Sequence, residues 1–166
     1  MPRRGRRLVW LGLLAGASFL AAALVVFLWP RPNGPPTHFS LGSVDEYDVG
    51  SITTVANGKF HLVRVSENQF VALSWREPGH GCTAPWRPTF AWPDPETGLV
   101  TTGWFRDPCR GSTFDKDGTR VFGPALRNMD RYVVSIVGGR VEVDTAQYVC
   151  GWSPPGARCA GATPAP

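Results

Sequence analysis

The sequence predicts an all-β domain, an antiparallel sandwich or small barrel, carried behind one long apolar segment. Three observations predict it. Glycine (19) and proline (16) are frequent among many Val, Thr, Phe and Trp residues, a mixture that favours turns and short strands. From about Phe39 the apolar residues come in short runs split by turn signals. Outside the N-terminal segment no stretch holds a helical period of useful length. A chain of 166 residues has room for one such domain plus an anchor.

The N-terminal segment, Leu8 to Trp29, reads LVWLGLLAGASFLAAALVVFLW and contains no charge. As a helix rising about 1.5 Å per residue it is ~33 Å long, which matches a hydrocarbon core of ~30 Å. Trp10 and Trp29 lie near its two ends, where aromatic belts form, and Pro30 stops it. A cleaved signal peptide is the competing reading. Its apolar core is normally shorter and ends in small residues, whereas this one ends Val-Val-Phe-Leu-Trp-Pro, so a retained transmembrane helix over residues 8–29 is expected. Residues 1–7 hold Arg3, Arg4, Arg6 and Arg7, which place the N-terminus in the cytoplasm and the domain outside the cell membrane. These four arginines equal the whole net charge of +4, so the rest of the chain is neutral. That excludes a nucleic-acid partner, because no basic stripe remains on the domain to neutralise phosphates.

Residues 30–42 are expected to be a linker, stiffened by Pro30, Pro32, Pro35 and Pro36. The domain proper is expected over 43–145. Gly50 to Val55 is a candidate strand. Phe60 to Val65, the turn Ser66-Glu67-Asn68 and Phe70 to Trp75 form a hairpin. Tyr132 to Val137, Gly138-Gly139 and Arg140 to Val143 form another, because Gly-Gly between Val-rich runs is a strong two-residue turn signal. Residues 146–166 are expected to be a tail.

Cys82, Cys109, Cys150 and Cys159 all follow the apolar segment, in a compartment expected to be oxidising. An even count implies two disulfides, and spacing alone allows three connectivities. A zinc site would need paired cysteines or nearby histidines. His80-Gly81-Cys82 is the sole His/Cys cluster and supplies too few ligands.

Two segments narrow the reading. Asp107-Pro108-Cys109-Arg110-Gly111-Ser112-Thr113-Phe114-Asp115, followed by Asp117-Gly118 and Gly123-Pro124-Ala125, resembles the second cluster-binding loop of Rieske iron–sulfur proteins, C-P-C-H-G-S-x-F-D and then G-P-A-P. Glu77-Pro78-Gly79-His80-Gly81-Cys82-Thr83-Ala84-Pro85-Trp86 resembles the first, C-T-H-x-G-C. The resemblance covers roughly residues 43 to 145 and implies a Rieske-type antiparallel β-sandwich. An anchor ahead of such a domain is similar to the Rieske subunits of quinol–cytochrome complexes.

In that family each loop gives one Cys and one His to a [2Fe–2S] cluster. Carried over position by position, the four ligands fall on Glu77, Gly79, Asp107 and Arg110. None is a ligand of the required kind: Gly79 has no side chain and Arg110 stays protonated. The resemblance therefore implies a degenerate site with no cofactor. The family's loop-clamping disulfide falls on Cys82 and Cys109, both present, which leaves Cys150 and Cys159 expected to bond to each other. Loss of every ligand with retention of both clamp cysteines is a selective pattern.

Arg110 is expected to pair with Glu77 or Asp107 in the vacated site. His80, one place from the expected histidine, is by default an exposed loop residue, with a stray metal ligand as the sharper alternative. Ser112 is expected to be a turn residue. Trp75, Trp86, Trp92 and Trp104 flank the loops, either as core or as an apolar docking surface. The implied function is a non-catalytic, membrane-bound subunit of a respiratory or photosynthetic electron-transfer complex, without a small-molecule substrate. The alternative is a working [2Fe–2S] carrier with unusual ligands. A hydrolase or isomerase rests only on the loop carboxylates.

Overall fold

The computed structural model describes residues 3–29 and 34–151, with side chains from residue 16 onward apart from Tyr148. The chain divides into two units at Gly34/Pro35. The first contains helix α1, Arg3–Leu28, which begins within the basic segment rather than after it. Among the described residues no helix is long and apolar enough to cross a membrane.

The second unit is all-β. Its strands are β1 (His38–Ser43), β2 (Ile52–Val55), β3 (Phe60–Ser66), β4 (Gln69–Ser74), β5 (Trp86–Pro93), β6 (Val100–Arg106), β7 (Thr113–Phe114), β8 (Arg120–Phe122), β9 (Arg131–Val137) and β10 (Arg140–Val149). A single 3-10 turn, Val44–Glu46, follows β1. All pairings are antiparallel, in a six-stranded sheet ordered β1-β10-β9-β4-β3-β2 and a four-stranded sheet ordered β5-β6-β7-β8. The smaller sheet is one continuous insertion between β4 and β9, which pair directly through Ala72↔Tyr132 and Leu73↔Arg131.

Both expected hairpins form. The β9–β10 turn has Gly138 at φ 58° and Gly139 at φ 77°, the doubly positive backbone that matches strand twist and that glycine adopts without strain. Two expected boundaries are corrected. The linker assigned to 30–42 gives up residues 38–42 to β1, because Phe39 is buried against Phe60 and the segment pairs with β10 in the register Phe39↔Val143. The tail assigned to 146–166 gives up its start to β10, which runs on to Val149. Residues 152–166 of that tail lie outside the described residues, as do residues 30–33 of the proline-rich spacer.

Alternation along β3 and β4 assigns their side chains to two cores. Phe60, Leu62, Phe70 and Ala72 join Phe39, Val141 and Val143 on one face. Val63, Val71 and Leu73 point the other way and meet Phe105, Phe114, Ala84, Ala125 and Met129, which joins the two sheets. These central strands are therefore buried on both faces, whereas the edge strands β2, β5 and β8 hold no fully buried residue.

His61 lies on the intersheet face. It is 2% exposed, its ring centroid is 4.9 Å from that of Phe105, and Nδ1 meets Thr54 Oγ1 at 3.0 Å. Nε2 has no hydrogen bond of ordinary geometry, although the Ala84 backbone lies close enough to favour the protonated ring slightly. Burial dominates and lowers its pKa from 6.5 to about 4. Above pH 6.5 the folded and unfolded chains both hold it neutral, so it has no effect. As pH falls from 6.5 towards about 4 only the unfolded chain takes up the proton, and stability is lost across that window. The loss is on the order of 3 kcal/mol at ~1.4 kcal/mol per pKa unit. Denaturant titrations at pH 7.5 and pH 5 should show about 2 kcal/mol of this loss in the parent and a flatter response in His61→Leu. Equal slopes in the two proteins would remove His61 as its source.

Candidate functional site

Two loops leave the sheets at equivalent places, residues 77–82 between β4 and β5 and residues 107–112 between β6 and β7. They are the same device used twice. In the first, Glu77 N–H donates to Cys82 C=O at 2.6 Å and Gly81 N–H to Glu77 C=O at 3.1 Å. In the second, Asp107 N–H donates to Ser112 C=O and Gly111 N–H to Asp107 C=O, both at 2.9 Å. The fifth residue of each is a left-handed glycine, Gly81 at φ 73° and Gly111 at φ 79°.

The carboxylates complete the match. Glu77 is 1% exposed and Asp107 is fully buried. Glu77 Oε2 accepts the His80 N–H at 2.9 Å, and Asp107 Oδ2 accepts the Arg110 N–H at 3.2 Å. Asp107, shorter by one methylene, also takes the Cys109 N–H on Oδ1 at 2.7 Å. Glu77 thus pairs one loop amide and Asp107 two, and an unpaired buried amide or carboxylate is costly. The equivalence is visible in the sequence as acid-Pro-x-base-Gly at Glu77–Gly81 and again at Asp107–Gly111, a signal that alignment to separate family loops passes over.

The loops are tied together in two ways. Cys82 and Cys109 form a disulfide across 27 positions. Glu77 Oε1 accepts the Ser112 hydroxyl at 3.2 Å, and Ser112 Oγ in turn accepts the Ala125 N–H at 3.1 Å. Gly123, at φ 94°, lets the third segment approach, because a Cβ there would meet Ser112 Cα at 2.5 Å. Ser112 is therefore a buried bridge among three segments and more than a turn residue.

The expected Arg110 ion pair does not form. Its side chain is exposed and contacts neither acid, and only its backbone amide reaches Asp107. The reason is saturation: the acids already hold amide donors inside the loops, and drawing a guanidinium in would strip its water. At Gly79 the missing side chain leaves room for Leu126, whose Cγ lies 3.3 Å from where a Cβ would stand. His80 stays at the surface, with Nδ1 3.6 Å from Glu77 Oε2. Among the tryptophans, Trp104 is buried, and Trp75, Trp86 and Trp92 are half-buried, Trp86 packing on Phe105 at 5.0 Å.

The donor set does not fit a [2Fe–2S] cluster. The four ligand positions hold two amide-bound carboxylates, a glycine and an exposed guanidinium, with no thiolate and no imidazole. Among the described residues the one grouping with metal-ligand spacing is Cys82, Asp107 and Cys109, and its two sulfurs are bonded to each other rather than free as thiolates. Nucleophilic chemistry fits no better. Glu77 lies between Ser112 and His80, so the serine proton points to a carboxylate and no imidazole acts on the hydroxyl.

Sequence inspection missed Asp130. It is 1% exposed, takes both forks of Arg127 at 2.9 and 2.8 Å, and accepts the Gly151 N–H at 2.9 Å. It thereby fastens the end of the domain next to Cys150. Cys150 is in a disulfide, and the expected bond to Cys159 lies outside the described residues because Cys159 does.

Fold and site together define a two-sheet β-protein whose paired loops are closed by carboxylates and a disulfide. The chain is similar to the cyanobacterial plasma membrane Rieske protein PetC3 from Synechocystis PCC 6803, at 20% identity and a TM-score of 0.43, covering 64% of this chain and 98% of that one. It is also similar to a chain of a hyperthermophilic respiratory Complex III, at 19% identity and a TM-score of 0.47, covering 82% and 98%. No family model and no curated protein matches the sequence.

On the chain-entropy model a cross-link of this span stabilises the domain by roughly 3–4 kcal/mol. Cys82→Ser should lower the denaturant midpoint accordingly, and adding Cys109→Ser should change little more. A single variant as stable as the parent would show that the clamp contributes nothing.

Proposed function

We propose that the chain is a cluster-free, Rieske-like subunit of a respiratory or photosynthetic electron-transfer complex, held in the cell membrane and acting as a structural or docking module. The observation that carries this reading is the use of Glu77 and Asp107 at two ligand positions. Both are buried and spent on loop amides, so the loops close without iron. The retained clamp, the Ser112 bridge and the Gly123-Pro124-Ala125 segment preserve the shape of the tip. The Ser112–Glu77–His80 order, which activates no nucleophile, supports a non-catalytic role.

Purified full-length protein should contain iron and acid-labile sulfide far below stoichiometric amounts after anaerobic reconstitution, and should copurify with cytochrome-containing subunits from gently solubilised membranes. A rhombic Rieske-type paramagnetic signal would restore the electron-carrier alternative. Isolation of the protein alone would remove the docking role.

The anchor is part of the proposal. Phe19, Leu20, Leu24, Val25, Val26, Phe27 and Leu28 on α1, and Trp29 directly after it, are exposed, and so much adjoining apolar surface needs lipid or another helix to cover it. The apolar run begins at Leu8, ahead of the described side chains, and the basic residues before it orient the domain outward. Protease added to intact spheroplasts should digest the β-domain, and full protection would refute this orientation.

A further inference from the structure

The face of the smaller sheet opposite Phe105 carries an arrangement that the loops do not use. Arg87 on β5 pairs across to Trp104 on β6, and Arg106 follows two positions later on the same face. Between Arg87 and Ala91 the register shifts, and Phe90 from this segment lies under the Arg106 guanidinium, 4.6 Å from carbon to ring centroid. Trp92 stacks on Phe90 at 6.0 Å, stands 5.3 Å from the same guanidinium, and continues to Phe122 at 4.8 Å. Arg106 Nη1 donates to Thr113 Oγ1 at 2.8 Å. Two aromatic rings and one hydrogen bond therefore hold Arg106 in a single pose, with most of its N–H groups unspent.

Arg87, Thr89, Phe90, Arg106 and Pro108 line an open cavity of ≈ 440 Å³. No carboxylate lines it, and among the described residues neither arginine is in an ion pair. Two cations facing one cavity repel each other unless an anion lies between them. Guanidinium forks match the oxygens of carboxylate and phosphate groups, and a fork fixed in advance loses little entropy on binding. The Phe90 ring and Pro108 supply an apolar wall beside them.

We propose that this cavity binds a small organic oxyanion, a carboxylate or phosphate ester carrying an aromatic or apolar arm. The oxyanion lies between Arg87 and Arg106 within reach of the Thr89 hydroxyl, and the arm rests on Phe90 and Pro108. It is a ligand and not a substrate, because no base or activated nucleophile lines the cavity. The proposal stands independently of the docking role.

Calorimetric titration of the full-length protein in detergent with phenyl phosphate, benzoate and inorganic phosphate tests it. At least one aryl anion should saturate and bind about tenfold or more tightly than inorganic phosphate, and the tighter of the two aryl anions distinguishes phosphate from carboxylate chemistry. Arg87→Gln, at an exposed position whose side chain has no hydrogen-bond partner among the described residues, should keep the fold and weaken binding by about tenfold or more. Phe90→Leu should narrow the preference for aryl anions. Absence of saturation, inorganic phosphate binding as tightly as both aryl anions, or unchanged affinity in Arg87→Gln would overturn the proposal.

Discussion

Every backbone amide in a buried loop needs an acceptor, and in this domain two carboxylates meet that need at one end of the molecule. Glu77 and Asp107 sit where each loop leaves its strand and take the amides that curl back over them. The rest of the tip follows. With the amides paired, the glycines can turn the chain, the cysteines come within bonding distance, and Ser112 can reach from one acid to the third segment. A buried acid is costly when isolated and tolerable when its oxygens are each given a donor, which is the state of both here. The acids are structural for the same reason that they are poor metal ligands: their lone pairs are already directed at the loops.

The strands that were legible in the sequence are those bounded by their own turn chemistry. Gly138-Gly139 marks β9 and β10, and Ser66-Glu67-Asn68 marks β3 and β4, because in each case the local turn sets the pairing. Less visible were β1 and β5. β1 begins directly after prolines, and its partner, β10, is a hundred positions away, so no local feature marks it. In β5 the proline, arginine and aromatic residues interrupt any clean alternation, and a register shift divides the strand. Burial of His61 was also hidden: within Phe60–Val65 it alternates correctly, but nothing local says that the polar side of this strand is a second interior.

At the site, family resemblance located the Cys82–Cys109 disulfide. It misled on Arg110, because complementary charge was counted without asking whether the acids had oxygens left to offer. Repetition of acid-Pro-x-base-Gly was a better guide than charge, since identical spacing from strand end to glycine implies identical backbone closure. Asp130 was beyond reach, for its partners are Arg127 nearby and a backbone amide near the end of the described chain, a contact that only the closed sheet creates.

The direct pairing of β4 with β9 has a consequence for how such a molecule changes over time. The chain leaves the large sheet after β4 and returns at β9, on the neighbouring rail of the same ladder, so everything between is topologically a detour. Its strands pair only with one another, in the order in which they are made. Residues can be exchanged along the detour without shifting a single rung of the host sheet, provided that the few apolar side chains at the seam, Phe105 and Phe114 against Val63, Val71 and Leu73, keep their bulk. The surface of such an appendage can change its chemistry while the scaffold beneath goes on folding as before.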